Sequence, residues 1–398
     1  MQGGEAMSVW DSVIGQEQVV SRLRKIACAD ASKIAQSWLI CGAAGFGSAQ
    51  VARAFAAALE SPDHGEGSDE ISGENELSKT AKEVLAGSHP DVHTLAAKGV
   101  TLNIDDVREA IGISEQMPST APWRIIIIED VDRMLERSTN VLLKEIEEPS
   151  EHTIWLLCAS SVMDVLPTIR SRTQLVQLAT PNEQSIAEYL TKKTDADNKL
   201  ANRAARLSQG NIATAFIYAS DERALSRRDE LVAGLLRMHD AADAIMLAAM
   251  LIDDAKAQAE DEVQRNVEAQ QKEFRRINGL GDEDRIPPKL RASYNAIGKK
   301  DDVKRKVTRV SRDVLCRSLD AIDSVYRDVL VVINEAQKSS PIINQEYKSR
   351  IVQLAQSMTA SSALDCVDSI ATARRRLSRN GNATLVFEAL FCSLLQSQ

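Results

Sequence analysis

Aromatic side chains and paired cysteines are scarce in this sequence, and each scarcity excludes a class of protein. Aromatic residues make up only 4% of the 398 residues. The 6 cysteines are scattered and form no C-x-x-C pair, so neither a disulfide framework nor a zinc site is indicated. The sequence also lacks a signal peptide and an apolar run of membrane length. It therefore predicts a cytoplasmic protein that binds no metal and contacts no membrane.

Basic residues are fewer than acidic ones, and the formal net charge is -9. A surface coated with basic residues is excluded, so any contact with nucleic acid belongs to a local patch or to a partner. Hydrophobic residues make up 44% of the chain, which is enough for two or three globular domains. Residues 1–6 look like a loose leader, which makes Met7 an alternative start.

The most informative stretch is a glycine-rich turn, residues 41–49, between an apolar run and a helical run. Strand, glycine turn and helix form the context of a phosphate-binding loop, in which backbone N–H groups converge on phosphate oxygens. Such a loop requires Lys followed by Ser or Thr, and this chain has Ser48 and Ala49 there instead. The degenerate loop comprises Gly42, Gly45, Gly47, Ser48 and Ala49. From the loop alone, a nucleotide site without its chemistry and an ordinary glycine turn stay equal alternatives.

Strands and helices alternate through the first 180 residues. The β-branched run Arg124–Ile128 is typical of a strand buried on both faces of a parallel sheet. It ends in acidic residues, Glu129 and Asp130, at the place of a Walker B motif, where carboxylates hold Mg²⁺. Further strands are predicted at 37–40, 154–158 and 175–178. The alternation predicts an α/β domain with a mostly parallel sheet.

The remainder of the sequence is predicted to be helical. Pro181 marks a domain boundary, and a small helical unit follows until residue 219, interrupted by Gly210. From Asp221 onward no convincing strand signal occurs. Segment 255–306 is heavily charged, and either exposed helices or partial disorder explains it; the exposed helices are favoured.

Five motifs in this order resemble the clamp-loader branch of the AAA+ ATPases. The resemblance is specific over residues 8–220 and only topological beyond them. The motifs are Gly15-Gln16, Gly42 to Gly47, Glu129 to Asp132, Leu142 to Pro149 and Ile169 to Arg172.

The resemblance implies three domains: an AAA+ ATPase-like domain at 8–180, a helical lid at 181–220, and an all-helical collar at 221–398 that mediates oligomerisation. It implies a ring that loads a sliding clamp on primed DNA, with motor ATPase subunits and a delta subunit as partners. It also implies no independent catalysis, although the ring serves a DNA-directed DNA polymerase holoenzyme.

Departures from the family pattern point to a subunit that does not hydrolyse ATP. Beyond Ser48 and Ala49, the lid has Ala213 and Thr214 where motor subunits place a sensing arginine, and segment 61–80 lacks the cysteines with which many relatives bind zinc. No cofactor is therefore expected. Arg172 of the Ser-Arg-Cys-like motif is retained, and the resemblance implies that it is an arginine finger acting on a neighbour's nucleotide.

Two other functions stay open at this stage. The first is an active clamp-loader ATPase that replaces the missing lysine, and the second is an AAA+ adaptor with no role in replication. For Arg172 itself, the alternative is a structural ion pair with a local carboxylate. His89 and His93 flank a proline turn and have no third ligand nearby, so a turn is favoured over a metal site.

Overall fold

The first half of the protein is built on one parallel sheet. A computed structural model describes residues 8–43, 45–66, 77–96, 102–281 and 284–396. The five strands lie in the order β2-β3-β4-β1-β5, and every neighbouring pair is parallel. The strands are β1 (Ser37–Cys41), β2 (Val92–Leu95), β3 (Arg124–Ile128), β4 (Thr153–Ala159) and β5 (Gln174–Gln177).

The central strands alternate their side chains between two hydrophobic cores. Ile125 and Ile127 of β3 pack into one core with helix α2 (Ser48–Glu60), whereas Ile126 and Ile128 pack into a second core on the other face. Every residue of β3 is buried, because helices cover both faces of the sheet. The sequence pattern of this strand therefore follows from its burial on two sides.

Nine helices are described in the first half of the chain. Their order confirms the predicted α/β class with a small helical unit after the sheet. They are α1 (Glu17–Ala27), α2, α3 (Lys79–Leu85), α4 (Ile104–Ser114), α5 (Glu136–Glu147), α6 (Pro167–Arg170), α7 (Glu183–Lys193), α8 (Asn198–Ser208) and α9 (Ile212–Ser220).

Two sequence predictions need adjustment in this half. The pattern of residues 140–148 predicts a helix that starts at Asn140, but α5 begins at Glu136. Ser138 and Thr139 are buried in its first turn, although their polarity hides the helical pattern. Residues 61–79 are rich in Gly, Ser, Asp and Glu, which predicts a surface loop. This loop is described only at its ends: residues 61–66 form turns, α3 begins at Lys79, and residues 67–76 lie outside the described residues.

Beyond residue 220 the described chain, 221–281 and 284–396, contains helices and no strand. The contacts divide the chain into two compact units at Ser220 and Asp221. The further division at residue 180 stays a prediction. The helices are α10 (Glu222–Leu235), α11 (Ala241–Ile277), α12 (Arg291–Ile297), α13 (Lys300–Ile333), α14 (Lys348–Ser357), α15 (Ala360–Ser378) and α16 (Ala383–Gln396).

The charged segment 255–306 forms an arm of two antiparallel helices, the second half of α11 and the first half of α13. A single buried row from α11, spaced four residues apart, holds the helices together: Ala255, Ala259, Val263 and Val267. Near the tip, the rings of Phe274 and Tyr294 meet edge to face with centroids 5.7 Å apart. The preference for exposed helices in this segment is therefore confirmed. None of the described helices is long and apolar enough to cross a membrane.

Candidate functional site

The predicted site residues after β1, β3 and β4 meet at one edge of the sheet. Because the strands are parallel and β4 lies between β1 and β3, their carboxyl ends converge. Cys41 ends β1 opposite Ala159 of β4, and the Gly42 N–H donates to the Ala159 carbonyl at 3.1 Å. This edge is where open α/β sheets bind ligands.

The glycine turn adopts a conformation that requires glycine and packs against the helical unit. Gly45 and Gly47 have φ of 85° and 91°, which side chains rarely tolerate. The Ile212 N–H, at the start of α9, donates to the Gly45 carbonyl at 2.8 Å. A Cβ atom on Gly45 would collide with the Asn211 side chain at 2.1 Å, so this helix begins in direct contact with the turn. Ala44 lies outside the described residues.

Helix α2 starts from the turn without the groups that nucleotide chemistry needs. Ser48 is its first residue, Gly47 precedes it, and Ala49 follows, so neither an ammonium nor the Mg²⁺-binding hydroxyl stands at the expected positions. Sequence reasoning missed Arg53, one turn after Ala49 on the same side of the helix. Its guanidinium pairs with the Glu129 carboxylate at 2.5 Å. The carboxylate in the Walker B position is therefore already paired with a cation from this chain.

The other acidic residues after β3 are also engaged locally. Asp130 has a φ of 55°, and its carboxylate lies 3.9 Å from the Arg133 guanidinium. Asp132 accepts a hydrogen bond from the Ser160 N–H at 3.3 Å and another from the Ser160 hydroxyl. Ser160, at the position of a sensor residue, therefore fixes the acidic turn.

Two buried cysteines under this edge are kept as thiols. Burial, followed by the charge of Asp132, raises the pKa of Cys41 to about 11. Burial, followed by the charges of Glu129 and Asp130, raises the pKa of Cys158 far above its usual range. Neither supplies a thiolate near neutral pH, so nucleophilic cysteine chemistry is not supported here.

Arg172 lies near the amino ends of the strands, on the side of the sheet opposite to the glycine turn. It precedes β5, whose first residue, Gln174, pairs with Trp38 near the start of β1. The glycine turn follows the end of β1, so roughly 13–17 Å of strand separates the two levels. Arg172 is therefore not placed to complete the site at the end of its own β1.

The Arg172 side chain is partly exposed and already has a partner. Its guanidinium bonds the Glu147 carboxylate at 2.7 Å and the Thr168 carbonyl at 3.2 Å. The arginine side chain is 35% exposed and that of Glu147 54%. The local ion pair considered from the sequence is thus present, but exposed pairs contribute only about 0–1 kcal/mol. The ion pair with Glu147 therefore contributes little to the stability of the fold.

A metal site is not formed by the residues named from the sequence. His89 accepts a hydrogen bond from the Asp91 N–H at 3.2 Å, and a ring nitrogen of His93 lies 3.0 Å from the Pro90 carbonyl. Within the described residues, no group of three or more His, Cys, Asp or Glu side chains could hold a metal ion. The expected lack of zinc stays a prediction.

The residues present do not fit a nucleotide with Mg²⁺. The cradle of glycines is retained, but the cationic and hydroxyl ligands are replaced by Ser48 and Ala49. Each missing charge-assisted hydrogen bond lowers binding by roughly 1.5–3 kcal/mol. Arg53 further occupies the carboxylate of Glu129. We derive no catalytic step through this turn.

Comparison with known proteins identifies relatives of the first half of the chain. Residues 15–182 match the family model described as "DNA polymerase III, delta subunit". DNA polymerase III subunit delta' of Haemophilus influenzae is 35% identical over 115 residues, 29% of this chain and 35% of the relative. The same subunit of Escherichia coli is 34% identical over 128 residues, 32% of this chain and 38% of the relative. The predicted resemblance to a clamp-loader delta-prime subunit is confirmed over this region.

Other relatives are gamma and tau subunits of DNA polymerase III. DNA polymerase III subunit tau of Bacillus subtilis is 27% identical over 188 residues, 47% of this chain and 32% of the relative. The chain spans less than half the length of the delta' relatives it matches, 35% to 47%.

The similar solved structures are more distant in sequence. A DNA polymerase III gamma subunit-related protein of Thermotoga maritima has a TM-score of 0.42 at 16% identity, covering 96% of this chain and 99% of its own. The RuvB Holliday junction branch migration motor of Thermotoga maritima has a TM-score of 0.36 at 15% identity, covering 55% of this chain and 63% of its own. Scores of this size add nothing to what the sheet topology already shows.

Proposed function

We propose that this protein is a non-hydrolysing, delta-prime-type subunit of a clamp loader, which donates Arg172 to the nucleotide site of a neighbouring motor subunit. The matched region, residues 15–182, contains the turn, the acidic residues and Arg172. The ring would load a sliding clamp on primed DNA, with motor ATPase subunits and a delta subunit as partners. The chain itself would bind no nucleotide and no metal.

The loss of nucleotide chemistry is supported by two independent features. Ser48 and Ala49 remove the phosphate counter-charge and the Mg²⁺ ligand. Arg53 pairs with Glu129, which would otherwise face the metal or the attacking water. A chain that lacks its own chemistry yet retains the arginine motif fits a role in completing another subunit's site.

The observation that carries the proposal is the placement of Arg172. The residue lies at the amino edge of the sheet, whereas the turn that would hold its own nucleotide lies at the carboxyl edge. Its guanidinium is partly exposed, and its ionic partner Glu147 is itself more than half exposed. A permanently charged planar fork in this position suits a phosphate supplied by another chain.

An assembly role for residues 221–398 is supported by an apolar stripe on α11. The exposed residues follow the i, i+3, i+4 spacing of one helix face: Ala242, Ile245, Met246, Ala249 and Met250. Ile245, Met246 and Met250 are 50%, 58% and 60% exposed, which is unusual for large apolar side chains in sequence proximity. A face of this kind is typical of a surface that contacts another subunit.

The test uses a loader reconstituted with its motor subunits, clamp and primed DNA. Arg172→Ala should leave assembly intact and lower the hydrolysis rate at the neighbouring site by about 10³-fold or more. Arg172→Lys should restore little activity, because an ammonium cannot reproduce the two-pronged contact. Assembly is checked by size-exclusion chromatography and hydrolysis by phosphate release in single turnover.

Glu147→Gln is the matched control, because it removes the same ion pair and leaves the arginine in place. A finger role requires this variant to retain hydrolysis near the wild-type rate. A structural role predicts that Arg172→Ala and Glu147→Gln cause equal, small changes in both stability and hydrolysis. Equal effects of the two variants in an assembled loader would refute the finger.

The second candidate is an active motor-type subunit, which the similarity to tau of Bacillus subtilis favours. It requires MgATP binding to the isolated chain, despite Ser48 and Ala49. Isothermal titration distinguishes the candidates, since micromolar MgATP affinity supports the motor and excludes the non-hydrolysing role.

A further inference from the structure

The return half of the charged arm, taken here as residues 284–312 to include the next turns of α13, is basic, although the protein as a whole is acidic. Residues 284–312 contain ten Lys and Arg against three Asp, a formal charge of +7, whereas the whole chain carries -9. The basic residues are Arg285, Lys289, Arg291, Lys299, Lys300, Lys304, Arg305, Lys306, Arg309 and Arg312. A cluster of exposed charges of one sign raises the local concentration of ligands of the opposite sign.

The lysines of this segment have no acidic partner in the described parts of the chain. Five lysines are exposed and form no ion pair with a described residue: Lys289, Lys299, Lys300, Lys304 and Lys306. Of the arginines, Arg305 pairs with Asp302 at 2.7 Å and Arg312 donates to Asn380. The charge of the five lysines is therefore available to a ligand.

Part of this charge is organised along a groove between α11 and α13. The groove has a volume of about 860 Å³. Its α13 wall presents Lys300, Lys304 and Arg312 at intervals of four or eight residues, which places them along one side of the helix over about 18 Å. The α11 wall adds Lys256, with Glu260 as the acidic residue of the lining. Lys256 lies 4.0 Å from the Glu260 carboxylate and pairs with it, so the three cations of the α13 wall have no anion to balance them in the lining. They form a row along which a negatively charged chain can bind.

We propose that the return half of the arm binds the phosphate backbone of nucleic acid. Protein partners bind through large apolar anchors surrounded by polar residues. Residues 284–312, all of which the structure describes, contain no large hydrophobic side chain with high exposure, whereas α11 presents its apolar stripe elsewhere, at residues 242–250. Exposed lysines without apolar anchors fit phosphates better than an acidic protein.

The contacts are independent of base sequence. Lysine offers a compact point charge to phosphate oxygens, and Tyr294, the one aromatic residue of 284–312, is packed against Phe274 and the Arg275 guanidinium. The interface therefore supplies affinity and steering without reading bases. This inference does not depend on the finger role of Arg172 or on assembly of a ring, since it concerns the isolated chain.

The experiment measures fluorescence anisotropy of a labelled DNA duplex of about 30 base pairs with the full-length protein, between about 50 and 200 mM salt. The test variant carries Lys300→Gln, Lys304→Gln and Arg312→Gln. The matched control carries Lys338→Gln, Lys348→Gln and Arg350→Gln, three exposed cations of the same helical unit outside the arm. Both variants change the net charge equally.

We expect the arm variant to bind at least tenfold more weakly and its salt slope to fall by up to about 2.7, which is 0.9 for each phosphate that the variant no longer neutralises. The control should keep both values close to wild type. Equal weakening in the two variants would show a general charge effect and overturn the proposal. Binding of polyglutamate in preference to DNA would assign the surface to an acidic protein instead, and a wild-type chain that fails to bind DNA at the lowest salt also refutes it. Circular dichroism melting checks that each variant folds.

Discussion

Glu60 makes the stability of the sheet-containing unit depend on pH. It ends α2, is 4% exposed, and accepts one hydrogen bond from the Trp123 N–H at 3.4 Å, while its other carboxylate oxygen has no partner. Burial, followed by the nearby charge of Asp91, raises its pKa from 4.5 to about 8, although the Trp123 N–H and Arg124 oppose the shift. The folded protein therefore holds this proton at neutral pH.

The sign of the effect follows from which state holds the proton. Between 4.5 and about 8 the folded state binds one proton that the unfolded state has released, so the free energy of unfolding falls as pH rises. The stabilisation due to this proton is fully present below pH 4.5, and it is lost as the pH rises through about 8. A pKa change of this size corresponds to at most about 5 kcal/mol, and rearrangement around the ionised carboxylate lowers it towards about 2–3 kcal/mol.

Glu60→Gln tests this by removing the titration while keeping the shape of the side chain. We expect the free energy of unfolding of the variant to equal that of wild type near pH 5. Near pH 9 it should be larger than that of wild type by about 2–3 kcal/mol. All 4 tryptophans, including Trp123, precede residue 221, so tryptophan fluorescence during urea unfolding reports on this unit alone.

Glu151→Gln, in an exposed turn, is the control for the removal of a carboxylate and should show no comparable pH dependence. A constant difference between Glu60→Gln and wild type across the same pH range would refute the reasoning, because it would mean that Glu60 is ionised in the folded protein.

Four further outcomes are expected. Isothermal titration should detect no MgATP binding by the isolated chain, and micromolar affinity would contradict this. Elemental analysis should find no zinc, in keeping with the absence of cysteine between 61 and 80. Met246→Asp should weaken association with loader partners in a pull-down, whereas Ile277→Asp, at an even more exposed apolar position on α11, should not. Asp328→Ala should lower the free energy of unfolding by about 3–5 kcal/mol in a circular dichroism melt, because this fully buried carboxylate accepts bonds from the Ile343 and Asn344 N–H groups and from Arg327.

Local pattern was enough to predict most of the sheet. The β-branched run Arg124–Ile128 is a strand with the bounds expected from the sequence. The helical spacing of Ile104, Val107 and Ile111 likewise predicts the helix that is found at Ile104–Ser114. Where the pattern was interrupted by polar residues that turn out to be buried, as at Ser138 and Thr139, the start of the helix was placed too late. Burial of a polar side chain is decided by tertiary packing, which a single sequence does not display.

The sequence predicted the residues of the candidate site but not the ion pairs that they form. The missing lysine at Ser48 and the acidic residues after β3 were visible, since they occupy fixed places in a known order of motifs. The Arg53–Glu129 pair joins residues 76 positions apart, and their spacing in the sequence does not predict the contact. The same holds for Arg172 and Glu147, whose contact depends on how α5 lies beside the residues before β5.

The opposed positions of Arg172 and the glycine turn give the subunit a direction. In a head-to-tail ring, each interface pairs one face of a subunit with the other face of the next. In the ring proposed above, a subunit that offers Arg172 at one face and no nucleotide at the other would serve only one of its two neighbours. Its position would then be at an end of the series of working interfaces, so that a closed circle of similar chains would function as a row with a first and a last member.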